Sequence, residues 1–550
     1  MKRASRTFGR LIFVGLKKNK WALVFLVALT LFVYLKALSN GFVSDDINGI
    51  TNNRQLQSWT TLRSYPFSFM QSLIYISLFH WFRLSPAAFH ASNIVFHVFT
   101  VLTVFGIGSF FFSKRPALAA GLLFAVHPLL SEAVAWISAG AYGRYAFFFL
   151  LSFLLYLLYK RHRFRRLYWL SIAGYFLSLV SSDRAPVLFL IFIVFEWSQK
   201  HLKKSWKTLF PYLTLGLFFL LLQIILLPAR FGAITPEIGS QSRFLNPALS
   251  LPFSLGAYLR LFFWPDSLAL FHTEYFTDPV LAPAYFFLTA LYAFSLFVSF
   301  FKNRRLFFFL VFFLLPLLPV LMPLRIASLI AERYAYLSVA ALCLTVSLVF
   351  DSLSDHKYLG KITAAFLIII LPILSVRTAL RIKDWQNDLK LGLSSLRSPS
   401  ENAVKYENGG DALVQTGNFV AAAAEFKKAI ALRPDYASLY NSLGYSQAHI
   451  GQYEEAMRNY DAALVLNPKL WQAYDNKAAV YTVSKDYQTA LRMLRQAFLL
   501  APQNNDLLIH FGIVYLQMGD KKNAKTTFEK ALSFDPDNTD ARNGLRESSH

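Results

Sequence analysis

The segment WALVFLVALTLFVYLKAL, residues 21–38, is an almost uncharged apolar run near the start of a 550-residue chain. A helix needs about 20 mostly apolar residues to cross a bilayer, so this run is long enough to span one. The residues before it are basic, as in a signal peptide, but ALSNGF (37–42) makes only a weak cleavage site. We therefore predict an uncleaved first membrane helix.

The overall composition indicates the same class of protein. Hydrophobic residues make up 55% of the chain and aromatic residues 17%, whereas 16% are charged; typical soluble domains contain about 25% charged residues. A soluble fold could not bury so much Phe and Leu, so we predict a polytopic membrane protein. The single cysteine, Cys343, excludes a disulfide framework and a thiolate metal site.

The net charge of +24 is unevenly distributed. Residues 1–380 contain 35 Lys/Arg and 12 Asp/Glu, whereas residues 381–550 contain 20 and 19 and are nearly neutral. The basic residues form short clusters between apolar runs, which is typical of loops retained on the cytoplasmic side of a membrane. This distribution argues against a nucleic-acid partner.

About eleven apolar segments are candidate membrane spans. They are residues 21–38, 88–113, 117–137, 145–160, 167–182, 185–199, 208–227, 283–301, 306–323, 335–351 and 362–377, with a re-entrant or interfacial helix expected within 247–272. Basic clusters alternate with loops poor in Lys and Arg, which predicts a cytoplasmic N-terminus and, after eleven crossings, an extracytoplasmic C-terminus.

A different chemistry begins after about residue 380, where a 34-residue period appears. Pro434, Pro468, Pro502 and Pro536 share one position of the repeat, and Gly410, Gly444, Ala478 and Gly512 share another. Small residues at fixed positions let paired helices approach closely, and this spacing is the tetratricopeptide pattern. We predict a membrane domain over 1–380, a linker over 381–402, and four repeats with a capping helix over 403–550, whose concave surface would bind a protein.

The first two acidic residues of the chain, Asp45 and Asp46, are adjacent and follow the first apolar run. The predicted orientation places them in the first outer loop, about residues 39–87. One of the two carboxylates could act as a general base. The negative charge of the other would raise the pKa of the first toward neutrality. An ordinary solvated loop or a helix N-cap is the alternative, and it is the commoner explanation of an isolated Asp-Asp pair.

Other polar residues occur within or beside the outer ends of the predicted spans. His90, Asn93 and His97 share one helix face, and polar groups inside a span usually line a cavity. A ring of arginines would suit a phosphate, because a guanidinium can bind two phosphate oxygens. The remaining candidates are His127, Glu132, Arg144, Asp183, Arg184, Arg260, Arg325, Glu332 and Arg333.

The order of these features resembles the transmembrane and tetratricopeptide-repeat-containing O-mannosyltransferases, which are GT-C glycosyltransferases. The resemblance rests on FVSDD (42–46), FHASNIVFH (89–97), HPLLSEAVAWI (127–137), AERYAYLS (331–338) and the terminal repeats. It implies a sugar donor linked to a lipid phosphate, and an outer-loop carboxylate as base, which falls on Asp45 or else on Asp46. His127, Glu132 and Arg144 would then contact donor or acceptor.

Relatives often have a Lys–Glu pair where this chain has Asp183–Arg184, with the order of charges reversed. The short repeat array favours a prokaryotic relative in the cytoplasmic membrane using a polyprenyl-phosphate sugar; the endoplasmic reticulum membrane is the alternative. No cofactor is required in principle; a divalent metal bound with the help of His and Asp side chains is the alternative, although no ligand spacing demands one. The competing hypotheses are a GT-C enzyme acting on a glycolipid or cell-wall glycan, an O-antigen-ligase-like enzyme, and a non-catalytic membrane-anchored repeat scaffold.

Overall fold

The structure is a computed structural model. It describes residues 19–63, 66–226, 247–266, 268–269, 281–321, 330–354, 356–397 and 403–549. Within these ranges the regular secondary structure is helical throughout, with no strand. The chain divides into two units, of which the first comprises residues 1–391 and 398–400 and the second residues 392–397 and 401–550. The all-helical prediction is confirmed, and the predicted domain bounds stay a prediction.

The described part of the first unit consists mainly of long apolar helices. Its α-helices are α1 (Lys20–Tyr34), α2 (Phe69–Phe82), α3 (Pro86–Phe111), α4 (Lys114–Val126), α5 (Ser131–Ala135), α6 (Gly140–His162), α7 (Arg165–Leu179), α8 (Phe189–Ser198), α9 (Leu202–Leu226), α10 (Pro247–Phe263), α11 (Leu281–Lys302), α12 (Arg304–Leu314), α13 (Leu318–Leu321), α14 (Tyr336–Ser354), α15 (Lys357–Asp384) and α16 (Asp388–Leu396), the last of which continues into the second unit.

Eight helices in the described part of the chain are long and apolar enough to cross a membrane, or nine if one bent pair forms a single span. Large apolar side chains such as Phe294, Phe297 and Phe301 on α11 are exposed, as expected for a surface that faces lipid. The predicted count of eleven is therefore not confirmed. Two candidates are short in the structure, since α7 has 15 residues and α8 has 10.

The bent pair of helices, Lys114–Val126 and Pro128–Ala135, accounts for a third predicted span that the structure does not contain as one straight helix. The run predicted as one helix over 117–137 breaks after Val126 and turns by 54° before residues 128–135. Pro128 causes the break, because proline has no N–H to donate and disfavours helical geometry in the residue before it. His127 accordingly has an extended backbone, with ψ of 124°. The break turns α5 away from the direction of α4.

The second unit contains helices of the four predicted repeats and a final capping helix. They are α17 (Ala403–Gln415), α18 (Phe419–Leu432), α19 (Ala437–His449), α20 (Tyr453–Leu466), α21 (Trp471–Val483), α22 (Tyr487–Leu500), α23 (Asn505–Gln517), α24 (Lys521–Phe534) and α25 (Thr539–Ser549). Each repeat is one antiparallel pair, and each proline of the 34-residue period lies two residues after the end of a second helix.

The small residue of each repeat is matched to the side chain opposite it. A Cβ added at Gly444 would lie 2.7 Å from the ring of Tyr460, and the glycines at 410 and 512 face Phe426 and Phe528 at 2.6 Å. In the third repeat alanine takes this position, and there the ring is replaced by Leu494, which belongs to the same buried cluster as Ala478. The glycine is thus required where an aromatic ring fills the space between the two helices.

Replacing Gly444 with alanine should destabilise the second repeat. Overpacking of a well-filled core costs about 1–3 kcal/mol, whereas the better helix propensity of alanine returns up to about 1 kcal/mol. We expect a net loss of about 1 kcal/mol in the free energy of unfolding, measured by urea denaturation. The same substitution in a Tyr460→Leu background should lose less, because that background reproduces the Ala478–Leu494 pair. Equal losses in both backgrounds would contradict this explanation.

Candidate active site

The loop that carries Asp45 and Asp46 is fixed to neighbouring elements at almost every residue. Asp46 is fully buried, and its Oδ1 accepts hydrogen bonds from the backbone N–H of Ser138 (2.8 Å) and from the Ser138 hydroxyl. Its Oδ2 accepts from the Val43 backbone N–H at 3.2 Å. The carbonyl of Val43 in turn accepts from the indole N–H of Trp136 at 3.3 Å. Asp46 therefore ties the loop to the turn before α6.

The other side of the same loop contacts α3 and the residues at the end of α15. His90 Nε2 lies 3.3 Å from the Gly41 carbonyl. Three hydrogen bonds connect the loop to residues 382–388: from Asn40 Nδ2 to the Ile382 carbonyl (3.2 Å), from the Gly41 N–H to the Gln386 carbonyl (2.9 Å), and from the Ser44 N–H to Asp388 Oδ1 (2.7 Å). The loop backbone is therefore held on both sides.

Asp45 differs from its neighbours in this loop. Its side chain is exposed, and among the residues that the structure describes its carboxylate has no hydrogen bond or ion pair. The two adjacent aspartates thus have separate environments, one committed to internal hydrogen bonds and the other free to meet a ligand. Sequence alone does not distinguish them, because both follow the same apolar helix.

Burial raises the pKa of Asp46 to about 6; hydrogen bonds from Ser138 and Val43 lower it, and the charge of Asp45 raises it further. The folded protein therefore binds this proton more tightly than the unfolded chain, in which the ordinary pKa is 3.8. The contribution of Asp46 to stability is present in full below about pH 4 and is lost as the pH rises to about 6, by at most about 3 kcal/mol.

An Asp46→Asn variant cannot ionise at this position. We expect the apparent Tm of the variant in detergent to fall less than that of the wild type between pH 4.5 and pH 7. The matched control is Asp45→Asn, whose pH dependence should stay close to wild type, because burial rather than the neighbouring charge is the main cause of the raised pKa. Parallel Tm profiles for Asp46→Asn and wild type would contradict the assignment.

Asn93 and Arg144 form a buried pair beside this loop. Arg144 Nη1 donates to Asn93 Oδ1 at 3.0 Å, and its guanidinium lies 5.4 Å from the ring centre of Tyr75. The Asn93 amide donates to the Trp136 carbonyl at 3.1 Å. Gly140 makes this approach possible, since a Cβ there would overlap the Asn93 side chain. Both predicted residues hold the turn that bears Ser138.

Two of the predicted histidines are engaged inside the helix bundle. His127 Nδ1 accepts from the Leu129 N–H (3.2 Å), so Nε2 carries the proton and donates to the Phe262 carbonyl (2.9 Å). Both ring nitrogens are thus used, and the ring stacks on that of Phe262 at 4.8 Å. His97 Nδ1 lies 2.7 Å from the Tyr336 hydroxyl. In this arrangement the two histidines join helices to one another.

The predicted acidic and basic residues near residue 332 form buried ion pairs. Glu132 accepts from the backbone N–H of Arg333 at 2.8 Å and from the Arg333 guanidinium. Glu332 accepts a hydrogen bond from Arg381 at 3.2 Å. Arg381 was not among the residues predicted from the sequence. The carboxylates are fully buried, so each pair compensates charges that would be costly alone.

Arg184 has a different environment from the other predicted arginines. Its guanidinium lies 4.6 Å from the ring centre of Tyr142 and 4.2 Å from that of Tyr334. Arg260, by contrast, pairs with Asp266 at 2.7 Å. Within the described ranges, no carboxylate forms an ion pair with Arg184. The neighbouring Asp183 accepts a long hydrogen bond from the Ser182 hydroxyl at 3.4 Å.

A continuous series of contacts joins Arg184 to the loop of Asp45. The Tyr334 ring contacts both Arg184 and Arg333, and the Arg333 guanidinium lies 5.2 Å from the ring centre of Trp136. Trp136 bonds the loop through Val43. The structure therefore brings together most of the predicted residues, whereas Arg260 lies with Asp266 and Arg325 lies outside the described residues.

Sequence reasoning missed several residues that build this region. Trp136 and Trp385 stack at 5.3 Å with an angle of 16° between the rings, and Ser138 and Asp388 hold the loop. A tryptophan a few residues beyond the predicted span 362–377, in RIKDWQND (381–388), is a usable signal for such a contact. In the described residues, no group of three or more His, Cys, Asp or Glu side chains could hold a metal ion.

The repeats present a second surface of interest. A groove of about 220 Å³ is lined by residues including Asp411, Tyr445 and Trp471. Polar side chains on its first helices bond across successive repeats: Asn476 Nδ2 donates to Asn441 Oδ1 at 3.0 Å, and His510 Nδ1 lies 2.7 Å from Asp475 Oδ1. The groove therefore offers both aromatic surface and side-chain amide and carboxylate groups to a peptide.

Family models match the second unit. A model described as TPR repeat matches residues 410–449, and models described as tetratricopeptide repeat match residues 437–470 and 484–547. The predicted repeat architecture is therefore confirmed, although the three models together cover less than half of the chain.

Curated relatives match across both units. Protein O-mannosyl-transferase TMTC3 of Mus musculus is 25% identical over 481 residues, covering 76% of this chain and 52% of the relative. Protein O-mannosyl-transferase TMTC4 of Homo sapiens is 28% identical over 487 residues, covering 73% of this chain and 65% of the relative. The resemblance drawn from the motifs is confirmed, and the apolar helices together with these relatives indicate a multi-pass membrane protein. The chain spans about half to two thirds of the length of these relatives.

Proposed function

We propose that this protein is a membrane glycosyltransferase that moves a sugar from a polyprenyl-phosphate donor to Ser or Thr hydroxyls of proteins. The observation that carries the proposal is the exposed carboxylate of Asp45, which has no hydrogen-bond or ion-pair partner among the described residues, in a loop whose neighbouring residues are held in place. The names of the curated relatives support a mannosyl group as the sugar and a protein as the acceptor.

Asp45 acts as the general base of this reaction. Its carboxylate takes the proton from the acceptor hydroxyl as the hydroxyl oxygen attacks the anomeric carbon. The new carbon–oxygen bond forms on the face opposite the phosphate, the bond from the anomeric carbon to the phosphate oxygen breaks, and the configuration inverts. The lipid phosphate leaves with the electron pair of that bond. Asp46 fixes the loop so that Asp45 meets the acceptor in a defined geometry.

Arg184 stabilises the phosphate that leaves. Its guanidinium lies against two neighbouring tyrosine rings, and among the described residues no carboxylate pairs with it, so its charge is preorganised for phosphate oxygens. Arg333 and Arg260 are weaker candidates for this role, because carboxylates already compensate their charges. Arg144 is fully buried and bonded to Asn93, which favours a role in holding the site.

The repeats bind the acceptor protein and raise its local concentration at the site. Aromatic and amide side chains in the repeat groove support a peptide ligand. The reaction takes place on the extracytoplasmic side of a cytoplasmic membrane, with the N-terminus inside, the orientation that the alternation of basic clusters favours. The donor lipid lies in the outer leaflet with its tail among the helices.

The direct test is transfer by the full chain in proteoliposomes. Polyprenyl-phosphate mannose and polyprenyl-phosphate glucose would be supplied in parallel, together with Ser/Thr-containing proteins from the source cell envelope. We expect a hexose on Ser or Thr by mass spectrometry, and loss of a matching modification when the gene is deleted. Transferred hexose found only in a glycolipid or cell-wall fraction would overturn the proposal that the acceptor is a protein. Absence of transfer to every fraction would overturn the enzymatic proposal.

A further inference from the structure

The residue directly before Asp45 has an unusual backbone conformation. Ser44 has φ of +54°, in the left-handed region that residues other than glycine seldom adopt. Such a conformation is unfavourable in isolation and persists only where surrounding contacts determine it. Because Ser44 immediately precedes Asp45, its φ and ψ angles set the direction in which the Asp45 side chain leaves the loop.

The contact that holds Ser44 comes from the far end of the first unit. Its backbone N–H donates to Asp388 Oδ1 at 2.7 Å, across 344 residues of sequence. Asp388 begins α16, and the carboxylate of a first-turn residue lies in the favourable field of the helix N-terminus. This acceptor is therefore held by its own helix and does not depend on the loop for its place.

Trp385 supports the same contact. It is fully buried, and its ring stacks on that of Trp136, whose indole N–H holds the Val43 carbonyl. The Gly41 N–H bonds the Gln386 carbonyl at 2.9 Å. The segment predicted from the sequence as the start of a linker thus packs against both flanks of the loop, while the Asp45 side chain stays exposed.

We propose that Asp388 and Trp385 are positioning residues for Asp45, holding Ser44 in its left-handed conformation so that the Asp45 carboxylate points at the acceptor; this inference rests on the proposed function. Neither residue touches a substrate. Both act through the backbone of residues 43–45. The segment after the last membrane helix is consequently part of the active-site framework.

The first test replaces Asp388 in the full-length protein and measures transfer in proteoliposomes. In Asp388→Ala the Ser44 N–H loses its acceptor, and we expect kcat to fall by about 10- to 100-fold, since small misplacements of a catalytic group have effects of this size. The KM for the donor should not change. Asp388→Asn retains an acceptor oxygen and should keep most of the activity. Wild-type kcat in Asp388→Ala would overturn the inference.

The second test separates positioning from general damage to the fold. Glycine adopts positive φ without steric cost, so Ser44→Gly added to Asp388→Ala should recover a large part of the lost kcat. A variant whose helices had simply lost packing would gain nothing from this change. No recovery in the double variant would overturn the role of the Ser44 conformation.

The matched control is Asp351, which makes the same kind of contact elsewhere in the first unit. Its Oδ1 accepts from the backbone N–H (3.1 Å) and the hydroxyl (2.8 Å) of Ser113. Asp351→Ala removes an equivalent carboxylate and should leave transfer unchanged. If it lowers kcat as much as Asp388→Ala does, the effect is not specific to the loop and the inference fails.

Amide hydrogen exchange tests the contact without relying on transfer. The peptide covering residues 40–50 should exchange faster in Asp388→Ala than in the wild type, and Asp351→Ala should leave its exchange unchanged. Equal exchange in Asp388→Ala and the wild type would overturn the positioning inference. A wild-type protein that binds and transfers no lipid-linked sugar would instead overturn the proposed function, so the two failures are distinguishable.

Discussion

Asp45→Asn is expected to lower kcat for sugar transfer by about 10²–10⁴-fold, the usual contribution of a general base. Asparagine has nearly the same size as aspartate, and the exposed Asp45 side chain makes no hydrogen bond among the described residues, so the fold should be unaffected. The KM for the lipid donor should stay close to wild type. The measurement is steady-state transfer to a protein acceptor, with variants matched for the amount reconstituted.

Asp46→Asn is the matched control for this prediction. The amide oxygen can still accept from Ser138, but the amide nitrogen would face the Val43 N–H, where two donors cannot bond. We expect a smaller loss of kcat, through loop geometry. If Asp46→Asn abolishes transfer while Asp45→Asn is active, the base is Asp46 and the roles assigned to the two residues are reversed.

Arg184→Ala should lower kcat/KM for the donor by about 10²–10³-fold, as loss of a preorganised group that stabilises developing charge commonly does. We expect a higher KM for the donor, because the guanidinium would contact the phosphate in the ground state. We also expect a lower kcat, because this contact would strengthen in the transition state. Arg184→Lys keeps the charge but loses the flat guanidinium that packs against the rings of Tyr142 and Tyr334, so its activity should be intermediate.

Arg304 provides a control for the aromatic environment. Its guanidinium lies 4.9 Å from the ring centre of Trp197, in the predicted cytoplasmic cluster FKNRR (301–305). Arg304→Ala removes a similar cation–aromatic contact away from the proposed site and should leave kcat/KM near wild type. Full donor affinity in Arg184→Ala, measured with a non-hydrolysable polyprenyl phosphonate, would contradict the phosphate assignment.

The helical architecture could be predicted because it depends on patterns that are local in the sequence. Each apolar run of bilayer length predicts one membrane helix, and each 34-residue period predicts one helical repeat. The number of spans was harder to predict, since a single residue such as Pro128 divides a continuous apolar run into two helices that meet at an angle. Short runs such as that of α8 have the composition of a span without its length.

The site was predictable only as a set of residue types. Sequence reasoning selected Arg184 and Arg333 together, yet their environments depend on partners that are distant in the chain. Glu132 compensates Arg333 from 201 residues away, whereas Arg184 packs against two tyrosine rings. The distinction between Asp45 and Asp46 depends on Ser138, 92 residues beyond Asp46. Long-range contacts of this kind leave no periodic signal.

The matching of glycine to an aromatic ring within each repeat has a consequence for how such arrays can be rearranged. A half-repeat carrying Gly444 fits only a partner half carrying a ring like that of Tyr460, and the half carrying Ala478 fits one carrying Leu494. Duplication, deletion or engineered shuffling that involves the third repeat should therefore preserve its whole 34-residue module. A crossover in the turn between the two helices that joins half of the third repeat to half of another would combine either a ring with a methyl group or a leucine with a glycine.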